Sequence, residues 1–224
     1  MTTSAVLAVL FDLDGTLVDS ERESAEAMAR VIQRGLGLVV TQEQRDFVIG
    51  HSWNEIYGKL RGELGPALVW DMHEVIARSA EERVSVIAEQ GMTVLPGAVA
   101  AVERMRARWP IALVTGSSRA EADQALQVLG LREAWGAIFA SEDYQRGKPA
   151  PDGFLAAAAV LKAPPERCVV IEESAAGIAA GVAAGMRVVA VRAGNFAGHD
   201  QRAAHRIVDS LDDVTYDLLE ELAR

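Results

Sequence analysis

Five short stretches of the chain are apolar at nearly every position: AVLAVLF at 5–11, IALVT at 111–115, AIFA at 137–140, CVVI at 168–171 and RVVAV at 187–191. They do not alternate apolar with polar residues, which is the pattern of parallel strands covered on both faces. Between them run helical patterns closed by small residues or glycine: Ala98–Arg108, Arg119–Leu129 before Gly130, Asp152–Leu161, and Ser174–Ala184 before Gly185. Strand and helix alternate, so the pattern predicts a doubly wound α/β core with a parallel sheet.

The interval 18–91 breaks this rhythm. Apart from the fragment LGLVV at 36–40 it has no strand-like run, and it carries four stretches of helical character: SERESAEAMARVIQRGL, TQEQRDFVIG, SWNEIYGKLRGEL and ALVWDMHEVIARSAEERVSVIAEQ. Its Trp and Met residues fall near helical spacing, which reads as core packing. The expectation is an inserted all-helical domain over 18–91, long enough for a core of its own. The α/β core is then 1–17 and 92–224, restarted by LPG at 95–97.

Composition narrows the functions. Half of the 224 residues are hydrophobic, so a sizeable core can be buried. A net charge of −10 argues against nucleic acid, whose phosphates need clustered cations. It leaves open small anions, which one lysine and a few amides can hold. No run approaches the roughly 18 apolar residues of a membrane span. The first apolar run lacks a basic leader and is interrupted by Asp12, so no signal peptide is expected and the cytoplasm is the expected compartment. Cys168, the single cysteine, stands in CVVIE and reads as a buried strand residue.

Chemistry enters at the carboxyl ends of the strands, where open parallel sheets place ligands. Asp12 and Asp14 in LFDLDGT are two residues apart on an extended segment, so both carboxylates address one region. Their repulsion is relieved by a divalent cation or a shared proton, and Gly15 allows the tight exit turn. A solvated strand-end turn is the plain alternative. In LVTGSSR, Thr115 ends a strand, Gly116 turns the chain, and Ser117 or Ser118 can cap the next helix, forming an anion cradle. Lys148 is held between Gly147 and Pro149 and can serve as a point charge on phosphate, or as an ordinary solvated lysine. Glu172 and Glu173 follow a buried strand and precede SAAGIAAG, which suits metal ligation or a favourable helix N-terminus.

In order and approximate spacing, FDLDGTL at 11–17, LVTGSS at 113–118, GKPAPD at 147–152 and IEESAAGI at 171–178 resemble the haloacid dehalogenase superfamily. The likeness covers essentially the whole chain and points to the phosphatase and β-phosphoglucomutase-like branch with a helical cap. It implies a Rossmann-like core and Mg²⁺-dependent transfer of a phosphoryl group from a small phosphorylated metabolite, of sugar phosphate, phosphoglycolate or nucleotide type. Asp12 would be the nucleophile and Asp14 the acid and base. Thr115, Lys148 and amides at Gly116 and Ser117 would hold the phosphoryl oxygens. Asp12, Asp14, Glu172 and Glu173 would bind the metal. The resemblance also implies cap motion with hinges near 17–19 and 91–95.

Two departures from the family pattern bear on this reading. Relatives with this cap commonly have Glu-Asp where this chain has Glu172-Glu173, so Glu172 is the main ligand, or Glu173 acts through a water, or metal is held more weakly. Sugar phosphomutases of the branch carry a histidine and an arginine where this chain has Ser24 and Trp53, so hydrolysis is favoured over mutase chemistry. In the loop 50–53, His51 or Trp53 is expected to face the leaving group, with cap core as the alternative for Trp53. Dehalogenation needs neither Asp14 nor the acidic pair, and a phosphonatase would need a Schiff-base lysine in the cap, where only Lys59 stands. A non-catalytic relative is the remaining alternative.

Overall fold

The computed structural model describes residues 5–49, 51, 53–196 and 198–224. In chain order, β1 (Ala8–Phe11) and β2 (Val18–Asp19) are followed by four helices: α1 (Glu21–Leu36), α2 (Gln42–Asp46), α3 (Trp53–Leu64) and α4 (Met72–Gln90). Next come β3 (Thr93–Val94), α5 (Ala98–Arg106), β4 (Ile111–Val114), α6 (Arg119–Leu129), β5 (Ala137–Phe139) and α7 (Asp152–Val160). The chain closes with β6 (Cys168–Glu172), α8 (Ala175–Ala183), β7 (Arg187–Val191), β8 (Arg206–Val208) and α9 (Tyr216–Leu222). Contacts divide it into two compact units: Met1–Asp19, Val94–Asn195 and His199–Arg224, and a second of Ser20–Thr93 with Phe196–Gly198. The divisions fall at 19/20 and 93/94, two residues beyond the expected boundaries.

The first unit is built on a six-stranded sheet in the order β5-β4-β1-β6-β7-β8, parallel throughout. Leu10, Ala112, Val114, Val170 and Val188 turn to one face, packed with Phe154 and Ala157 of α7 and Ile178 and Ala180 of α8. The intervening residues, Val9, Phe11, Leu113, Val169, Ile171 and Val189, are buried as well. Both faces are therefore covered, which is why these strands carry no alternation. β1 is central, with β4 on one side and β6 on the other, so the sheet's topological switch lies beside its carboxyl end.

The second unit is helical, with α1 packed along α4. Its core comprises Met28, Ile32, Ile56, Leu60, Leu68 and Val75, flanked by Trp53, Tyr57 and Trp70. Gly35 is required there: a Cβ would stand 2.2 Å from the Trp70 ring. LGLVV forms no strand. The elements β2, β3, β8 and α9 are not among those the apolar pattern predicts. Among the described residues, no helix is long and apolar enough to cross a membrane.

Candidate active site

Strand register gathers the acidic residues. Phe11 is level with Leu113 of β4 and Ile171 of β6, so the next positions along, Asp12, Val114 and Glu172, stand abreast at the sheet's edge. The Asp12 amide still bonds the Ile171 carbonyl at 3.0 Å, and the Thr115 amide bonds Phe139 at 2.9 Å. These backbone bonds fix both residues where the strands end.

Lys148 lies between two of the acids. Its Nζ donates to Asp12 Oδ1 and, at 2.8 Å, to Glu172 Oε1, and rests 5.1 Å from the Phe154 ring centre. Burial alone would lower its pKa, but Asp12 and Glu172 reverse this and hold the ammonium above the ordinary lysine range. The other Glu172 oxygen accepts from the Glu173 amide (2.7 Å), the Ser174 amide (2.7 Å) and the Ser174 hydroxyl (2.9 Å). Glu172 is thus tied to the start of α8 as well as to the lysine.

Glu173 is held differently. Thr16 donates its hydroxyl to Oε2, and the carboxylate lies against Gly15, whose φ of +82° marks the tight turn expected there. Gln201, buried, donates to the Glu173 carbonyl at 2.8 Å and to Val191 at 2.9 Å. Burial, then the Glu172 and Asp12 charges, raise the Glu173 carboxyl well above its usual range. Asp12 is raised to about 8 by burial, with Glu172 and Asp14 adding and Lys148 opposing.

Asp14 turns toward the loop after β4. Its Oδ2 accepts from Ser117 Oγ at 2.6 Å and Thr115 Oγ1 at 3.0 Å, while the Ser117 amide donates to Thr115 Oγ1 at 3.0 Å. Tyr144 clamps the Thr115 carbonyl at 2.6 Å. Gly116 lies outside the left-handed φ region and has open space beside it, so no close neighbour demands glycine there.

Asp12, Glu172 and Glu173 each offer an oxygen within 4.8 Å of the others. These three buried carboxylates gather about one ammonium, with Asp14 two residues along the chain from Asp12. Hard oxygen donors with this excess of negative charge suit a hard divalent cation, so the donor set fits Mg²⁺.

Sequence reasoning named these residues but not Thr16, Tyr144 or Gln201. Thr16 was visible as a polar residue directly after the DLDG turn; Tyr144 and Gln201 belong to loops without a readable period. Two residues of the loop 50–53, Gly50 and Ser52, lie outside the described residues. His51 is exposed and stacks on Phe47 at 3.8 Å, whereas Trp53 packs on the helical unit's core. The Ser24 hydroxyl turns back to the Ser20 carbonyl at 2.8 Å. Lys59 is paired with Glu43 and Glu63, which raise its pKa and oppose the neutral amine a Schiff base needs. Cys168 is buried and its thiol is raised to about 11, as befits an inert strand residue.

A family description, haloacid dehalogenase-like hydrolase, matches residues 6–185. The chain belongs to that family. Among curated relatives of this haloacid dehalogenase-like hydrolase, hexitol phosphatase A of Escherichia coli is 35% identical over 185 residues, 82% of each chain. Fructose-1-phosphate phosphatase YqaB of the same organism is also 35% identical, over 82% of this chain and 95% of its own. A solved structure of a putative β-phosphoglucomutase from Thermotoga maritima superposes with a TM-score of 0.77 at 27% identity, covering 96% of this chain and 99% of that one. The chain is accordingly an enzyme, a hydrolase of a family whose curated relatives include these phosphatases.

Proposed function

We propose that this hydrolase is a Mg²⁺-dependent phosphatase acting on a small sugar or polyol monophosphate. The observation that carries the reading is the joining of Asp12, Lys148 and Glu172 at the ends of β1 and β6, with Asp14 and Thr115 alongside. The substrate class rests on the printed names of the two Escherichia coli relatives.

In this mechanism a carboxylate oxygen of Asp12 attacks phosphorus, forming an aspartyl phosphate as the bond to the leaving oxygen breaks. Asp14 donates its proton to that oxygen. It then takes a proton from the water that attacks the aspartyl phosphate, releasing phosphate and restoring Asp12. Lys148, the Thr115 hydroxyl and the backbone at Gly116 hold the phosphoryl oxygens. Asp12, the Asp14 carbonyl and Glu173 would bind Mg²⁺, which supplies charge neutralisation for the transferring group. Glu172 is assigned chiefly to Lys148 and the start of α8, because both its oxygens already accept hydrogen bonds there.

Phosphate release from a panel of sugar, polyol, glycolate and nucleotide monophosphates, with and without Mg²⁺, tests the reading. Turnover should require the metal, favour the sugar and polyol esters, and fall at least about a thousandfold in Asp12→Asn. Isomerised sugar phosphate without free phosphate would mean a mutase; inertness of every ester would mean a non-catalytic relative.

A further inference from the structure

Two neighbouring serines follow Thr115, and the fold separates their tasks. Ser118 caps α6: its hydroxyl accepts from the Glu121 amide, and the Glu121 carboxylate returns to the Ser118 amide at 2.9 Å. Ser117 is not needed by the helix. Its amide is fixed on Thr115 Oγ1 at 3.0 Å, and its carbonyl accepts from the Ser141 amide at 2.9 Å. With both backbone groups anchored, the Ser117 hydroxyl has a defined aim, Oδ2 of Asp14 at 2.6 Å.

We propose that Ser117 is a positioning residue for Asp14, orienting its carboxyl group for proton transfer. The inference rests on the phosphatase reading, in which Asp14 is the acid. A hydroxyl donating to Oδ2 leaves Oδ1 to carry the proton. The arrangement serves both forms of the group, because Oδ2 is an acceptor whether Asp14 is a carboxylate or an acid. As the P–O bond breaks, the proton on Oδ1 passes to the leaving oxygen; in the second half-reaction water returns one. Thr115 also bonds Oδ2, at 3.0 Å, but its hydroxyl is the one assigned to the phosphoryl group. When Thr115 engages the substrate, the Ser117 hydroxyl still donates to Asp14 Oδ2.

The test exploits leaving-group chemistry. A sugar alkoxide needs a proton to depart, whereas p-nitrophenolate does not. The readout is kcat/KM on a sugar phosphate and on p-nitrophenyl phosphate, since this parameter reports the steps through aspartyl phosphate formation. Asp14→Asn should lose about 10²- to 10⁴-fold on the sugar ester and far less on the nitrophenyl ester. Ser117→Ala should show the same asymmetry more mildly, the sugar-to-nitrophenyl ratio falling about fivefold, as expected for one lost hydrogen bond. Ser117→Thr, which keeps a hydroxyl, should recover most of the ratio. Equal losses on both esters in Ser117→Ala, with Asp14→Asn asymmetric, overturn the positioning role alone. A symmetric Asp14→Asn overturns the acid assignment, and the inference falls with it.

Discussion

Gly177 shows how one missing side chain supports the acidic cluster. A Cβ at this position would lie 1.5 Å from Glu172 Oε1 and 1.9 Å from its Cδ, so the carboxylate occupies the space that glycine leaves open. Gly177→Ala must therefore expel Glu172 from both Lys148 and the first turn of α8. We expect a loss of about 2 kcal/mol in denaturant unfolding, from a buried ion pair broken on one side, and a lower kcat. Gly116→Ala, which meets open space, should change stability by less than about 0.5 kcal/mol. The motif EESAAG was legible as acids before a small-residue helix. Which acid turns toward the amides was not, because that choice is made by side-chain torsions and by the contact with Lys148 from a distant loop.

At the level of elements, the strands were the most readable part, since two-sided burial writes itself as unbroken apolar runs. The pattern carried five of the six strands of the main sheet to within a few residues of their observed ends, and register then placed Asp12 beside Glu172. It did not divide labour within LVTGSSR, where either serine can cap a helix by composition. The structure assigns the cap to Ser118, with the reciprocal Glu121 contact of a capping box. Ser118→Ala should thus destabilise the protein by about 1 kcal/mol, seen as a lower denaturation midpoint. The sugar-to-nitrophenyl ratio should stay at the wild-type value. A changed ratio in Ser118→Ala would mean that the two serines cannot be separated as described.

For the whole molecule, the net charge of −10 matters less than the few buried acids gathered at one sheet edge. Without metal, the folded state holds the Asp12 carboxyl up at about 8, against an ordinary value of 3.8, through burial first and then Glu172 and Asp14. Glu173 is raised in the same sense, again chiefly by burial. An acid whose pKa is higher folded than unfolded contributes stability that is complete below the unfolded value and is lost as pH rises through the folded one. Metal-free protein in chelator should therefore lose thermal stability between about pH 4 and pH 8 as these groups are forced to ionise. Asp12→Asn removes one of them and should flatten that decline, raising the midpoint at pH 8 by about 5 °C. On the proposed reading, Mg²⁺ should offer the same relief to the unmutated protein, by binding the ionised cluster and not the unfolded chain. At about 100 times its Kd it should contribute about 2.7 kcal/mol at pH 8, a rise of about 5–10 °C, and progressively less as pH falls toward 5. A midpoint indifferent to Mg²⁺ at pH 8, or a decline with pH equally steep in Asp12→Asn, would show that the carboxylates at the ends of β1 and β6 do not set this balance.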